Sequence, residues 1–184
     1  MMIPVSIKGI GKYLPEKVIS NDDLSAILDT NDEWISSRTG IKERRVVSGN
    51  ESASELAYKA SLNALENAGL DKTELDMIIA ATSAPDHLYP SLSCEVLGKL
   101  GLDSGIPAFD VTAACTGFVY ALGIARSFVQ TGQCKNILVI GADVHSRVLD
   151  WSDRATCVLF GDGAGAMVVS KSDDDVNRVL SVKM

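Results

Sequence analysis

The stretch Asp110–Leu122, DVTAACTGFVYAL, decides the fold of this chain, because a strand, a tight bend and a long apolar helix meet within it. The pattern predicts that the strand ends at Val111 and that Cys115 lies where the helix begins. The first N–H groups of a helix have no partner within it, and the helix dipole adds partial positive charge there. A thiol in that position ionises more readily, and the thiolate is the reactive form of cysteine. The sequence therefore predicts a nucleophilic Cys115, whereas a small buried cysteine is the simpler alternative.

Strand and helix patterns alternate on both sides of this stretch. DMIIAATS at 76–83 and NILVIGA at 136–142 are continuous apolar runs, the pattern of strands that are covered on both faces. Between them the pattern predicts a helix over 91–100, a strand at 107–111 and an apolar helix over 115–131, which we expect in the interior. This order predicts an α/β fold with right-handed crossovers and a mixed, mostly parallel sheet that carries helices on both faces.

Local signals predict the elements nearer the N-terminus. Residues 3–10 alternate as in a strand, and a short helix through Leu28 is expected to be capped by Asn21 and Asp22. A capping box of Thr30 and Glu33 predicts a helix that starts at Thr30 and ends near Gly40. A second capping box, Ser52 with Glu55, predicts a helix that ends at Gly69.

The C-terminal part contains a glycine-rich stretch, Gly161–Gly165, that runs into the strand-like AMVVS. Dinucleotide-binding loops follow a strand and open a helix, so this order predicts close backbone packing and no nucleotide. A solvated turn at 173–175 and the start of another strand at 178–184 are expected to follow.

Composition excludes several classes of function. At 184 residues the chain is the size of one domain, and its net charge of −7 argues against non-specific nucleic-acid binding, which relies on lysine and arginine. No apolar run approaches the ~20 residues of a membrane span and the N-terminus lacks a signal peptide's apolar core, so the cytoplasm is the expected location. Four cysteines without a C-x-x-C pair and two histidines predict neither a metal site nor a disulfide scaffold.

Trp34 and Arg38 are four residues apart in the predicted second helix and share one face, with Thr30 a turn earlier. A flat aromatic ring beside a cation can stack on a planar base and neutralise a phosphate, as a nucleotide-bearing carrier such as coenzyme A requires. An amphipathic helix with an inward-packing tryptophan and a solvated arginine explains the same spacing, and the residues alone slightly favour it.

Four longer stretches together resemble the N-terminal half of the β-ketoacyl-acyl-carrier-protein synthase III family, condensing enzymes of the thiolase-like superfamily: GIGKYLPE, DTNDEWISSRTGIKERR, FDVTAACTGFVYAL and DRATCVLFGDGAGA. The resemblance implies that residues 1–184 form a single N-terminal thiolase-like half domain, and that the C-terminal half is absent from this chain. In that architecture the nucleophile helix is buried between two similar halves, so this chain alone would expose an apolar face.

The resemblance implies an acyltransferase that initiates fatty acid synthesis in two steps. Acyl-coenzyme A, a substrate and not a cofactor, acylates Cys115, and malonyl-acyl-carrier protein then undergoes decarboxylative condensation with the acyl group. The second step needs a histidine and an asparagine of the C-terminal half, which could be a second chain. Complete subunits are expected to form a homodimer.

The other site residues follow from the resemblance alone: adenine contacts from Trp34 and Arg154, further coenzyme A contacts from Thr30 and Arg38, and acyl-pocket positions at Tyr89 and Phe160. Tyr89 matches a position that reaches into the partner subunit's pocket, and the role of Trp34 replaces its inward-packing interpretation. His145 lies where many relatives carry an apolar pocket residue. It is expected either to favour a short acyl primer or to be an ordinary surface or packing histidine.

Two other classes of function stay open. A secondary-metabolism starter synthase or another thiolase-like condensing enzyme, such as a hydroxymethylglutaryl-coenzyme A synthase, would share most of these motifs. A non-catalytic module that binds coenzyme A or assembles with other chains would keep the sheet without performing the reaction.

Overall fold

The computed structural model describes residues 2–102, 105–172 and 178–183, which form a five-stranded sheet, a two-stranded sheet and five α-helices. The strands are β1 (Val5–Tyr13), β2 (Val18–Ser20), β3 (Glu43–Arg45), β4 (Met77–Ala81), β5 (Ala108–Val111), β6 (Asn136–Val144) and β7 (Asp162–Lys171). The helices are α1 (Asn21–Ser25), α2 (Asp32–Thr39), α3 (Ala53–Ala68), α4 (Leu92–Lys99) and α5 (Gly117–Gln130).

The five-stranded sheet has the order β1-β7-β6-β4-β5. Strand β4 pairs in parallel with β5 and β6, whereas β7 pairs antiparallel with both β6 and β1. Four strands therefore run in one direction and only β7 runs against them, which confirms the predicted mixed, mostly parallel sheet. Every residue of β4 is buried, as its continuous apolar sequence predicts.

Helices cover the sheet on both faces, as predicted. Leu56 of α3 and Val96 of α4 pack with Ile78 and Leu138 on one face. On the other face α5 packs against Ile79 and its neighbours. Apolar residues within β4 therefore alternate between two hydrophobic layers.

Helix α3 approaches β1 so closely that only glycine fits at two strand positions. A Cβ atom on Gly11 would lie 2.3 Å from both the Ala60 carbonyl oxygen and the Ala64 nitrogen. One on Gly9 would lie 2.4 Å from the Ala64 carbonyl oxygen. Because these obstacles are backbone atoms, small residues on both sides determine the distance between helix and strand.

Helix caps differ from the sequence expectation at two places. Ser20 caps α1 in a reciprocal capping box with Asp23, and α1 ends at Ser25, so the predicted caps Asn21 and Asp22 and the end at Leu28 are wrong. Asn31 caps α2 instead of Thr30, and its side-chain oxygen accepts a hydrogen bond from the Trp34 nitrogen. The cap at Ser52 and the predicted helix ends at Gly40 and Gly69 are confirmed.

The glycine-rich stretch is followed by strand AMVVS, as predicted, but β7 begins earlier, at Asp162, and already contains Gly163 and Gly165. A Cβ atom on Gly161 would lie 3.0 Å from the Arg45 carbonyl oxygen, and one on Gly163 would lie 2.9 Å from the side chain of Leu14. Residues 178–183 form no strand, although the Val179 nitrogen donates to the Val5 carbonyl oxygen, so that prediction is wrong for the described residues. The predicted turn at 173–175 lies outside the described residues.

Only one face of α5 is interior in this chain. Ala121, Ala125 and Val129 are fully buried against the sheet, whereas Val119 on the other side is 40% exposed. The expectation of an apolar helix in the interior is therefore met on one face, and an apolar surface remains on the other. Among the helices that the structure describes, none has the length and apolar character needed to cross a membrane.

Candidate active site

Cys115 lies in a bend between β5 and α5. It occupies a single 3-10 turn at 114–116, and α5 begins two residues later at Gly117, slightly after the predicted start. Ala114 has a φ of 46°, a left-handed conformation that non-glycine residues rarely adopt and that is common at functional sites. No side chain caps either the turn or α5, and the thiol is exposed. The start of α5, which no side chain caps, therefore lies two residues after the exposed Cys115.

The bend is anchored on the sheet. A Cβ atom on Gly117 would lie 3.3 Å from the Ala81 methyl group, so the start of α5 touches the end of β4. The Thr116 hydroxyl donates to the Ala113 carbonyl oxygen at 2.9 Å and closes the turn. These contacts fix the position of Cys115 at the carboxyl end of the parallel strands, where ligands bind in α/β folds.

Cys115 opens into a cavity of about 380 Å³. Most of its walls are small residues from the ends of β4 and β6, the turn before α5 and the glycine-rich stretch at the start of β7: Ala81, Ala114, Gly141, Ala142, Gly161, Gly163, Ala164 and Gly165. Larger side chains complete it: Leu14, Thr82, Phe118, Asp143 and His145. The cavity therefore has room for a substrate group beside the thiol.

His145 forms part of this cavity wall and contacts Phe160. The two rings stack with their centroids 5.0 Å apart and an interplanar angle of 23°. The imidazole makes no hydrogen bond to any residue that the structure describes. His145 therefore lines the cavity and packs on Phe160, an arrangement that fits both a pocket position and a packing histidine.

Asp143 was not predicted as a site residue. Its Oδ1 atom accepts hydrogen bonds from the Thr82 hydroxyl at 3.1 Å and from the Ser83 and Ala84 nitrogens at 2.6 and 2.9 Å. These bonds fix the segment after β4 against the end of β6 at the cavity rim. The parallel pairing of the two apolar strands contained a signal for this contact, because their carboxyl ends must meet at one edge of the sheet.

A second group of predicted residues forms a layered arrangement around Trp34. The Arg38 guanidinium carbon lies 4.5 Å from the indole centroid and that of Arg154 lies 5.1 Å from it. Both guanidiniums lie within the range of favourable cation–π contacts. Arg154 also donates to the Asp29 carbonyl oxygen. Two cations and an aromatic ring therefore meet at the surface of a chain with a net charge of −7.

The Trp34 ring is half-buried and packs on a small core of Leu24, Ile35, Cys157 and Val158. The inward-packing interpretation therefore describes part of this side chain, and the ligand-binding interpretation stays a prediction. Thr30, which was grouped with Trp34, has a buried hydroxyl oxygen that has no partner among the described residues.

Tyr89 lies apart from both groups. Its side chain is 90% exposed and the neighbouring Leu88 is 86% exposed, in the segment between β4 and α4. Tyr89 is not part of the wall of the Cys115 cavity in this chain. Among the described residues no cluster of three or more histidine, cysteine or acidic side chains could hold a metal ion.

Comparison with known proteins places this geometry in a family. The family model of 3-oxoacyl-[acyl-carrier-protein] synthase III matches residues 109–184. A β-ketoacyl-[acyl-carrier-protein] synthase III of Ehrlichia canis (strain Jake) is 52% identical over 178 residues, which are 97% of this chain and 56% of the relative. The chain belongs to the β-ketoacyl-acyl-carrier-protein synthase III family. It spans about half the length of the curated relatives that it matches.

Solved structures agree with this assignment and with the thiolase-like fold. The synthase III of Aquifex aeolicus VF5 superposes with a TM-score of 0.89 at 52% identity, over 92% of this chain and 55% of that chain. The priming β-ketosynthase of the R1128 polyketide biosynthetic pathway superposes with a TM-score of 0.90 at 38% identity, over 94% of this chain and 52% of that chain. Synthase III enzymes and a polyketide priming enzyme therefore share this half of the fold.

Proposed function

We propose that this chain provides the acyl-accepting half of a β-ketoacyl-acyl-carrier-protein synthase III. The observation that carries the proposal is the exposed Cys115 thiol at the uncapped start of α5, facing a cavity of about 380 Å³. The thiol loses its proton, and its sulfur attacks the thioester carbonyl of acyl-coenzyme A. A new carbon–sulfur bond forms, and coenzyme A leaves as a thiol after taking up a proton.

The layered arrangement of Arg38, Trp34 and Arg154 is the proposed site for the nucleotide end of coenzyme A. A planar adenine can contact the indole and guanidinium faces, and the two cations can neutralise phosphates. Thr30, a turn before Trp34, is assigned to the same site by the resemblance.

The Cys115 cavity is the proposed acyl pocket. Its walls are mainly glycine and alanine, and the His145 ring lies at one side, stacked on Phe160, which is outside the cavity lining. A short acyl primer fits this arrangement better than a long one, because the His145 ring occupies space that a longer chain would need. The exposed Tyr89 is the proposed contribution of each subunit to its partner's pocket in a homodimer.

The second step is proposed to be decarboxylative condensation with malonyl-acyl-carrier protein, as the first reaction of fatty acid synthesis in the cytoplasm. It requires a histidine and an asparagine from a complementary C-terminal half, which would donate hydrogen bonds to the thioester carbonyl. The apolar outer face of α5, with Val119 40% exposed, is where that half would pack.

Incubation with acetyl-coenzyme A tests the first step. We expect intact mass measurement to show one added acetyl group, and peptide mapping to locate it on Cys115. Cys115→Ser should abolish the label, whereas Cys94→Ser, which alters a half-buried cysteine away from the cavity, should retain it. Acetylation that persists in Cys115→Ser would remove Cys115 from the mechanism.

A polyketide priming synthase is a second candidate, which the similarity to the R1128 enzyme favours. It performs the same acylation, so the two candidates differ in primer and carrier protein after the complementary half is added. Coenzyme A binding without any acyl-enzyme would instead indicate a non-catalytic module.

A further inference from the structure

Arg44 is a buried arginine that has no acidic partner among the described residues. Its residue is 5% exposed, and the guanidinium donates only to neutral acceptors. These are the carbonyl oxygens of Ile19 and Val158, each at 3.2 Å, and the Asn21 side-chain oxygen at 2.8 Å. Its Nε atom is buried without any acceptor in the described part of the chain. A buried cation is costly unless its hydrogen bonds are well satisfied, so the bonds that Arg44 makes are essential to its position.

The bonds of Arg44 connect two segments that are distant in sequence. Val158 lies between Arg154 and Phe160, in the segment that supplies one side of the arrangement around Trp34. The bond from Arg44 to Val158 spans 114 residues. Arg44 itself lies on β3, beside the helices of the N-terminal part.

Asn21 extends this connection to α2, which carries Trp34 and Arg38. Its amide nitrogen donates to Asp32 Oδ1 at 2.7 Å, at the first turn of α2, and to the Ile41 carbonyl oxygen at 2.8 Å, just after the helix ends. The Asn21 side chain therefore binds Arg44 through its oxygen and both ends of α2 through its nitrogen. One chain of hydrogen bonds, buried at Arg44 and part-buried at α2, joins the segment that contains Arg154 and Val158 to α2.

Within the described residues, the other hydrogen-bonded contact between the Arg154 segment and the α2 region lies at the surface. Arg154 bonds to the Asp29 carbonyl oxygen, and its ion pair with the Asp29 carboxylate is 3.7 Å long with that carboxylate fully exposed. Exposed ion pairs contribute little, whereas buried bonds from a charged donor are roughly twice as strong as neutral ones. The buried bonds of Arg44 are therefore better suited to fix the relative position of the two sides.

We propose that Arg44 is a positioning residue for the nucleotide end of acyl-coenzyme A. It sets the distance between α2 and the 153–159 segment, so that Arg38 and Arg154 both face the indole of Trp34. Arg44 does not touch the ligand, and acts through the position of Arg154. The inference rests on the proposed function, since it presumes that this arrangement binds coenzyme A.

Arg44→Lys, Arg44→Met and the control Arg45→Met test this role in the full chain. Arg45 is adjacent and half-buried, but among the described residues its side chain bonds only to the Pro15 carbonyl oxygen and to Glu43. Two quantities are measured: the dissociation constant of coenzyme A by calorimetry, and the rate at which Cys115 is acylated by acetyl-coenzyme A or by acetyl-pantetheine, which lacks the nucleotide.

We expect Arg44→Lys to weaken coenzyme A binding about tenfold, which corresponds to about 1.4 kcal/mol. In Arg44→Lys, acylation by acetyl-pantetheine should stay within about twofold of the wild-type rate, because this substrate lacks the nucleotide. Arg45→Met should leave both coenzyme A binding and acylation unchanged, because it does not alter the bonds of Arg44. In an Arg154→Ala background, Arg44→Lys should have little further effect on binding, because Arg44 acts through that side chain.

Unchanged coenzyme A binding in Arg44→Lys would overturn the inference. An equal loss with acetyl-coenzyme A and acetyl-pantetheine would also overturn it, because general damage to the fold would then explain both. If Arg44→Met fails to fold, Arg44→Lys decides, since lysine keeps the charge and loses the forked geometry. A wild-type chain that does not bind coenzyme A would refute the proposed function itself, before any Arg44 variant is compared.

Discussion

Substitution of Gly11 by alanine tests the close contact between β1 and α3. The added Cβ atom would lie 2.3 Å from two backbone atoms of α3, whereas ordinary contacts begin near 3.4 Å. The helix would have to move away by about 1 Å, and no side-chain rotation can relieve the clash because both obstacles are backbone. Overpacking in a core costs about 1–3 kcal/mol, and the backbone obstacles place this substitution near 3 kcal/mol. That is a large share of the 5–15 kcal/mol that stabilises a typical domain.

Gly98→Ala is the matched control, because it adds the same methyl group to an exposed position inside α4 where nothing lies within 4 Å. Alanine is the better helix former there, so this variant should gain about 0.5–1 kcal/mol. The free energy of unfolding of both variants is measured by urea unfolding, followed by circular dichroism. If the dependence of that free energy on urea concentration has the same slope in both variants, a shift in the unfolding midpoint reports a change in stability. A Gly11→Ala variant as stable as the wild type, or one no worse than Gly98→Ala, would show that the spacing between helix and strand is not fixed by these atoms.

Three further predictions follow from other parts of the chain. Trp34→Ala should weaken coenzyme A binding by at least tenfold in calorimetry, because two cation–π contacts and the stacking surface are lost; unchanged binding would place the nucleotide elsewhere. Hydrogen bonds from Asn21, then Lys42, lower the pKa of Asp32 to about 2, so the ionised carboxylate stabilises the fold above about pH 4 and this contribution is lost as pH falls toward 2. Asp32→Asn should therefore flatten the pH dependence of the unfolding free energy between about pH 4 and about pH 2. An unaltered slope in that range would contradict the prediction. Burial raises the pKa of the fully buried Cys157 thiol, so iodoacetamide should modify the exposed Cys115 first, and mass-mapped peptides with the opposite order would contradict the described burial.

Much of the sheet could be predicted from sequence because its central strands are buried on both faces. The sequences of β4 and β6 are continuous apolar runs, and such a run directly reflects a strand that is buried on both faces. The cap residues of α1 and α2 were predicted wrongly, because neighbouring residues can occupy the same cap position. Thr30 and Asn31 both precede a suitable helix start, and the stronger preference of asparagine for the cap agrees with the structure.

Contacts within the candidate site are either local in sequence, and predictable, or between distant segments, and not predictable from periodicity. Trp34 and Arg38 are neighbours on one helix, so their contact follows from the helical period. The approach of Arg154 to Trp34, the bonds of Asp143 and the bond from Arg44 to Val158 join segments that are far apart in the chain. Periodicity contains no information about such pairs. The resemblance supplied the role of Arg154, and only the three-dimensional structure placed Asp143 and Arg44.

Strand β7 determines the order in which the sheet can be completed during synthesis. Among the described strands β1 pairs with β7 alone, from Val5 opposite Lys171 to Tyr13 opposite Ala164. A ribosome adds about 5–20 residues per second, so β1 waits roughly ten seconds or more for its partner. During that interval β1 can dock on α3 through its glycines, while its hydrogen-bonding edge and Ile10 stay open to other chains. The earliest strand to be synthesised is thus the last to enter the sheet, and the time needed to translate residues 14–171 sets how long the nascent chain is exposed to aggregation.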